Sequence, residues 1–277
     1  MPGRVDTSAP RVGTWSRFVA VGDSFPEGVG DTAPDLPNGV RGWADRLARI
    51  LAGDPSRTDG DVFRYANLAL RGKVLDEVVA EQLPTVAALR PDLIAVCAGA
   101  NDLLRPSVDI DDLMDRYDGL LGDLASTGAT VVTFTAFDTA RRPLFAALRG
   151  RFAIYNELLR EIVERRDLVL VDFWRLREFS DRRMWEFDRM HLSPDGHHQM
   201  ALRVAEALGV EHGLAHTTLG AVPTISAGAR RKDDRRWVTR EAAPWVGRRL
   251  RGVSRGDDMV PRHPEWVEVT ARSHDED

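Results

Sequence analysis

Residues 18–25 read Phe-Val-Ala-Val-Gly-Asp-Ser-Phe, and this stretch is the most informative about the fold. A short apolar run that stops at a glycine is typical of a buried strand in a parallel sheet. The strand ends at Gly22 and leaves Ser24 at its carboxyl end. Ligands of open parallel sheets bind beyond that edge. The sequence therefore predicts that Ser24 lies in a functional loop.

Strand-like runs alternate with helical patterns over most of the chain. The runs cover residues 18–21, 63–68, 93–98, 130–135 and 168–171. Alternation of this kind is typical of a parallel sheet with helices on both faces. Five strands and five helices predict an α/β fold, a three-layer α/β/α sandwich with a five-stranded parallel sheet.

The helical segments between the strands are recognised by apolar residues at helical spacing, with the clearest stripe over residues 110–124. Pro84 predicts a break or a kink in the second helix. Ser193 followed by Pro194 predicts the cap and first turn of a last helix that runs to about Leu208.

A carboxylate and a histidine lie three positions apart near the end of this alternating region, at Asp188 and His191. A serine hydroxyl is a weak nucleophile until a base takes its proton, and the base works best when a third group orients it. Ser24, His191 and Asp188 supply those three groups. We interpret them as the nucleophile, the base and the residue that holds the tautomer of the base in a serine hydrolase acting on esters.

Four ordered segments resemble the sequence blocks of the SGNH hydrolases, also called GDSL lipases and esterases. They are Gly22-Asp23-Ser24-Phe25, Gly72, Gly99-Ala100-Asn101-Asp102 and Asp188-Arg189-Met190-His191. The resemblance covers roughly residues 17–208 and implies a flavodoxin-like fold. Phe25 departs from the leucine of the family name, and Ala100 stands where glycine is common.

The resemblance also implies an oxyanion hole made by the backbone N–H groups of Ser24 and Gly72 and the side-chain amide of Asn101. A glycine lets the backbone approach a substrate closely, and an amide donates to an anion without carrying charge. Asp23 and Asp102 are expected to support this site structurally, and Asp102 to bond the backbone of its own turn.

Composition agrees with an ordinary enzyme of 277 residues and 43% hydrophobic content. No apolar run approaches the roughly 20 residues that a membrane helix needs. Residues 1–16, predicted to be an N-terminal extension, lack the apolar core of a secretion signal. Cys97 is the only cysteine, so no intrachain disulfide is expected. A cytoplasmic location follows as an expectation.

Several potential metal ligands cluster near the predicted triad: Asp188, His191, Asp195, His197 and His198. Helical zinc sites favour ligands on one face, such as histidines four residues apart. Adjacent histidines point in different directions instead. We therefore expect no metal and no cofactor.

Two segments are predicted to border the substrate. Residues 25–35 include Glu27 and Asp31 and read as a polar, flexible loop or hinge. Residues 173–190 carry Trp174, Phe179, Trp185 and Phe187 close to the predicted triad, and Trp185 or Phe187 is a candidate wall for the acyl or alcohol part of the substrate.

Beyond the hydrolase domain, predicted over residues 17–208, the composition changes. Residues 209–229 read as a linker, and residues 227–256 hold ten Arg or Lys against three acids, about +7 on a chain of net charge −5. This basic tail carries Trp237 and Trp245, with Trp266 beyond. Three interpretations stay open: a tail that folds back onto its acidic domain, a flexible or partner-binding tail, and a peripheral contact with anionic lipid.

The favoured function is a carboxylic-ester hydrolase with an acyl-enzyme intermediate, acting on a small-molecule or lipid ester. An acyltransferase would use the same residues with an alcohol in place of water. A catalytically silent binding protein on the same fold is the other class. No nucleic-acid partner is expected from a net-acidic chain, and the residues do not predict the oligomeric state.

Overall fold

The computed structural model describes residues 15–55, 57, 61–141, 145–250, 256 and 258–270. The predicted N-terminal extension therefore lies outside the described residues except for Trp15 and Ser16. No helix within the described part of the chain has the length and apolarity to span a membrane.

One six-stranded sheet forms the centre of the molecule, in the order β5-β4-β3-β1-β2-β6. The strands are β1 (Arg17–Gly22), β2 (Phe63–Asn67), β3 (Leu93–Cys97), β4 (Thr130–Phe134), β5 (Val169–Val171) and β6 (His263–Val269). The first five pair in parallel, and β6 pairs antiparallel with β2. The α/β class is confirmed, whereas the predicted strand count of five is wrong because the tail adds an edge strand.

Helices connect the strands and cover both faces of the sheet. They are α1 (Ser24–Glu27), α2 (Trp43–Ala52), α3 (Leu75–Leu89), α4 (Ala100–Leu103), α5 (Ile110–Ser126), α6 (Arg149–Arg166), α7 (Pro194–Ala207), α8 (Ala227–Trp237) and α9 (Ala243–Leu250). A π-helical turn over Val238–Ala242 joins α8 to α9. Short 3-10 turns lie at Pro37–Gly39, Thr139–Arg141, Ala146–Leu148, Phe173–Arg175, Arg177–Ser180 and Arg182–Met184.

Alternation along β1 explains how two cores form. Phe18 and Ala20 point into a cluster with α2 and α7, whereas Val19 and Val21 point into a cluster with α3, α5 and α6. Successive strand residues face opposite sides of a sheet. All four are fully buried. Both faces of β1 are therefore covered, which explains why the whole run is apolar.

Proline 84 does not break α3, contrary to one of the two expected outcomes. The helix continues from Leu75 to Leu89 with Pro84 inside it. Both Pro84 and Ala80, whose carbonyl loses its partner, are solvent-exposed. Water can therefore satisfy the carbonyl that the proline leaves unpaired.

Parts of the C-terminal region pack against the rest of the described structure, whereas residues 220–233 are exposed. Residues after α7 run along that helix, where Ala215 accepts a hydrogen bond from His198. β6 completes the sheet, and Arg262 just before it is buried. The contacts of Trp237 and Trp245 with the hydrolase region agree with the first of the three interpretations of the tail.

Candidate active site

Three side chains from two distant parts of the chain form a continuous hydrogen-bonded row at the carboxyl edge of the sheet. The Oγ of Ser24 donates to Nε2 of His191 over 2.9 Å. Nδ1 of His191 donates to Oδ2 of Asp188 over 2.6 Å. This is the arrangement in which a base can take the serine proton while a carboxylate fixes its tautomer. The structure thus brings together the three residues predicted as a triad.

Ser24 owes its position to the backbone of Gly22. Gly22 has φ +132°, and a Cβ there would lie 1.9 Å from the carbonyl oxygen of Cys97. Gln82 of α3 grips the same residue, because its amide accepts from the Gly22 N–H over 2.8 Å and donates to the Gly22 carbonyl over 2.9 Å. β1 is therefore held at its last residue, and Ser24 begins α1 directly beyond it.

The loop that carries His191 is held in place by the carboxylate of Asp188. Oδ1 of Asp188 accepts hydrogen bonds from the backbone N–H groups of Met190 and His191, over 2.9 and 3.0 Å. A turn closed in this way leaves the second oxygen free to face the imidazole. Gly30 packs behind it, where a Cβ would lie 2.0 Å from the carbonyl oxygen of Leu192.

Charge and burial together set the pKa values of Asp188 and His191. Burial alone would raise the pKa of Asp188, but the adjacent imidazole and the hydrogen bonds that the carboxylate accepts hold it well below its usual value. Burial alone would lower the pKa of His191, and the charge and hydrogen bond of Asp188 outweigh it, so that the pKa of His191 is raised. A histidine with a raised pKa is a stronger base for the serine proton.

Of the predicted oxyanion donors, Asn101 lines the same cavity as Ser24, and Gly72 directly precedes Lys73, to which Asn101 is hydrogen-bonded. Gly72 has φ +84°, a conformation that favours glycine. The Asn101 side-chain amide donates to the Lys73 carbonyl over 3.0 Å and, more weakly, to Oδ2 of Asp23 over 3.4 Å. Within the described part of the chain, the N–H groups of Ser24 and Gly72 have no acceptor. Two backbone donors are thus open to an incoming group.

A buried ion pair ties the Gly72 loop to α1. Glu27 is fully buried and accepts from Nε and Nη2 of Arg71, the latter over 2.6 Å, and from the Arg71 backbone N–H over 2.6 Å. Asp31 is also buried and pairs with Arg46 over 2.7 Å. The two acids expected to make residues 25–35 a polar, flexible loop, Glu27 and Asp31, are buried and bind arginines inside the protein.

The two aspartates predicted to support the site have structural contacts. Asp23 is buried, accepts from the Phe25 N–H over 3.1 Å, and has its pKa raised to about 7 by burial. Asp102 accepts from the backbone N–H of Leu75 over 3.0 Å and thereby caps α3. The expected backbone bonding of Asp102 thus extends beyond its own turn to another helix.

A small cavity of about 70 Å³ opens beside the triad. Its lining is mostly apolar: Asp23, Ser24, Phe25, Ala100, Asn101, Leu104, Phe137, Phe145, Phe152, Met190, His191 and Trp245. Neither aromatic residue that the sequence suggested as a wall belongs to it. Trp185 instead packs against Phe137 and Phe173 in the core, and Phe187 lies under the guanidinium of Arg236.

The histidines considered as metal ligands face different elements. Nδ1 of His197 accepts from the Trp43 N–H, and Nε2 donates to the Val29 carbonyl, both over 3.1 Å. Burial lowers the pKa of His197 to about 4, so it is a neutral link between α7 and two loops. Among the described residues no group of three or more His, Cys, Asp or Glu is placed to hold a metal ion.

Two residues that shape the site, Gln82 and Trp245, were not identified from the sequence. Gln82 could have been found, because it occupies the buried stripe of α3 with Leu75, Val78 and Val86, where a polar side chain needs a partner. Trp245 could not, because its contact with the cavity depends on the path of the whole tail.

Known proteins resemble this chain in sequence and in fold. The sequence model of the GDSL-like lipase/acylhydrolase family matches residues 20–199. No curated protein sequence matches the chain. Among solved structures, the acetylxylan esterase Axe2 from Geobacillus stearothermophilus superposes with a TM-score of 0.59 at 19% identity, over 72% of this chain and 97% of that chain. At that identity the likeness establishes the fold.

A second solved structure is LAE5, described as an alpha/beta hydrolase enzyme from the metagenome of Lake Arreo, Spain. It superposes with a TM-score of 0.56 at 25% identity, over 70% of this chain and 95% of that chain. Structures of Axe2 described as catalytic mutants change a serine, a histidine and an aspartate.

Proposed function

Because the chain belongs to the GDSL-like lipase/acylhydrolase family, we propose that it hydrolyses carboxylic esters through an acyl-enzyme formed on Ser24. The observation that carries this proposal is the row of hydrogen bonds from Ser24 through His191 to Asp188. The catalytic mutants of the acetylxylan esterase with the same fold support it, since they change the same three residue types.

In the first half-reaction, Ser24 Oγ attacks the ester carbonyl carbon while its proton moves to Nε2 of His191. Asp188 keeps Nδ1 protonated and stabilises the imidazolium that results. The tetrahedral intermediate then collapses as His191 returns the proton to the departing alcohol oxygen. The products are the free alcohol and an ester between the acyl group and Ser24.

The developing oxyanion would be bound by the N–H groups of Ser24 and Gly72 and by the Asn101 amide. The oxyanion would replace the long contact of 3.4 Å between the Asn101 amide and Oδ2 of Asp23. In the second half-reaction His191 takes a proton from water, whose oxygen attacks the acyl carbon. The acid leaves and Ser24 regains its proton.

Hydrolysis of p-nitrophenyl acetate by the full chain tests the proposal, with Ser24→Ala as the variant and Ser126→Ala as the matched control. Ser126 is exposed and donates only to the Asp123 carbonyl. We expect turnover in the wild type and in Ser126→Ala, and background rates in Ser24→Ala. Equal rates in Ser24→Ala and the wild type would overturn the assignment of the nucleophile.

A further inference from the structure

The C-terminal helices lie against the triad loop. The indole N–H of Trp237, at the end of α8, donates to the backbone carbonyl of Asp188 over 2.9 Å. The Arg189 guanidinium lies 4.5 Å from the centre of the same indole and pairs with Asp233 and Asp234 over 3.0 and 2.8 Å. Helix α8 is therefore fixed to Asp188 and Arg189, two adjacent residues of the loop that carries the triad.

The chain beyond α9 is fixed on the other side of the site. The side chain of Arg262 is fully buried, and its Nη1 donates to Asp45 over 2.7 Å and to the Glu27 carbonyl over 3.0 Å. Gly256 lies so close to the Gly72 loop that a Cβ there would be 2.3 Å from the Arg71 carbonyl oxygen. Contacts before and after it thus hold α9 near the active site.

Between these attachments, α9 places one aromatic ring on the cavity. Trp245 meets Phe145 edge-to-face, with ring centres 5.8 Å apart, and both line the cavity with Ser24 and His191. The next residue, Val246, is 38% exposed. Among the described residues of the tail, Trp245 is the one that lines this cavity.

The size and chemistry of this cavity limit what can enter. Pockets for drug-sized ligands measure roughly 300–1,000 Å³, whereas this one measures about 70 Å³. Its mostly apolar lining suits the hydrocarbon part of an acyl group better than a hydrated alcohol. An acetyl group is short enough for such a space, and a longer acyl chain would meet the aromatic wall.

From these contacts we infer that Trp245 closes the far end of an acyl pocket and restricts the enzyme to short acyl groups. The inference rests on the proposed ester hydrolysis and adds a specificity-determining residue from the C-terminal tail. In Trp245→Ala the end of the pocket opens. The ratio of kcat/KM for p-nitrophenyl hexanoate to that for the acetate then rises about tenfold, the gain expected when two of the four additional methylene groups of the hexanoyl chain become buried.

The experiment measures that ratio in the wild type, Trp245→Ala, the milder Trp245→Leu and the control Val246→Ala. Melting temperatures identify any variant that fails to fold, in which case Trp245→Leu decides. A raised ratio in the Trp245 variants and an unchanged one in Val246→Ala supports the inference. An unchanged ratio in every folded Trp245 variant overturns it.

A binding measurement separates this inference from the proposed function. Hexanoate and acetate are titrated calorimetrically into Ser24→Ala and into the double variant Ser24→Ala/Trp245→Ala, neither of which has the nucleophile. Tighter hexanoate binding in the double variant supports the pocket even if the wild type lacks Ser24-dependent turnover. Equal hexanoate binding in the two proteins overturns the inference, whichever residue hydrolyses esters.

Discussion

The indole N–H of Trp237 donates a hydrogen bond to the backbone carbonyl of Asp188, with 2.9 Å between nitrogen and oxygen. The two residues lie 49 positions apart, so the C-terminal tail directly supports the loop that carries the triad carboxylate. Trp237 is 6% exposed, and the bond is partly buried. It couples the docking of α8 to the position of Asp188.

Replacing Trp237 with Phe should lower the free energy of unfolding by about 1 kcal/mol, because the ring is kept and one partly buried carbonyl loses its donor. Trp237→Ala should cost about 3 kcal/mol, since it also removes the ring beneath Arg189. Urea denaturation measures both values. Val238→Ala, a change at the exposed neighbour, serves as the control and should stay within about 0.5 kcal/mol of the wild type. Equal stability of wild type and Trp237→Ala would show that the tail does not dock as described.

Asn101→Ala should reduce kcat on a p-nitrophenyl ester by about 10²–10³, because it removes one donor to the oxyanion. KM should change little, since the donor acts mainly in the transition state. Asn101→Asp should be at least as slow, because a carboxylate cannot donate and repels the developing charge. Full turnover in Asn101→Ala, in a variant that melts like the wild type, would contradict the oxyanion role.

The acid side of the pH profile should report His191. The base must be neutral to accept the serine proton, and its pKa is raised above 6.5. kcat/KM should therefore fall as the pH drops through an apparent pKa above 6.5. In Asp188→Asn the charge that raises this pKa is gone, burial dominates, and the residual activity should persist to lower pH.

Asp23 titrates in the same range, because burial raises its pKa to about 7. The profile is therefore repeated in Asp23→Asn. An acid limb due to His191 should persist there, displaced to lower pH because the Asp23 charge also raises the pKa of His191. Loss of the limb in Asp23→Asn would assign it to Asp23 instead.

Glu27→Gln should destabilise the protein by about 3 kcal/mol and lower kcat, because it removes the negative charge of the buried carboxylate that binds Arg71. The Arg71 backbone adjoins Gly72, so the oxyanion loop should lose its support as well. Glu81→Gln is the matched control: Glu81 is exposed and pairs with Lys73 on the other side of Gly72 over 2.7 Å. An exposed pair contributes at most about 1 kcal/mol. Equal effects of the two changes would contradict a special role for the buried pair.

Much of the fold could be predicted from the sequence because its signals are local. The five parallel strands appear as apolar runs, and α7 begins at its Ser193 cap as predicted. Ser24 directly follows the first apolar run, and Asp188 and His191 lie three positions apart, so all three could be assigned to one site from the sequence.

The remaining features depend on contacts between distant segments. β6 alternates polar and half-buried residues and is an edge strand, a pattern too weak to separate it from a charged tail. A glutamate such as Glu27 is expected at the surface when only the neighbouring sequence is considered. Its burial is explained by the tertiary contact with Arg71. The tertiary path of α9 similarly decides that Trp245, rather than Trp185 or Phe187, lines the cavity.

If Ser24 is a nucleophile activated by His191, it should react with diisopropyl fluorophosphate. The most direct test is to incubate the full chain with this reagent and to locate the adduct by peptide mass spectrometry. The account predicts a single phosphorylated serine, Ser24, with labelling strongly slowed in His191→Ala and unaffected in Ser126→Ala. An unlabelled Ser24 in the wild type, or equal labelling with and without the imidazole, would contradict it.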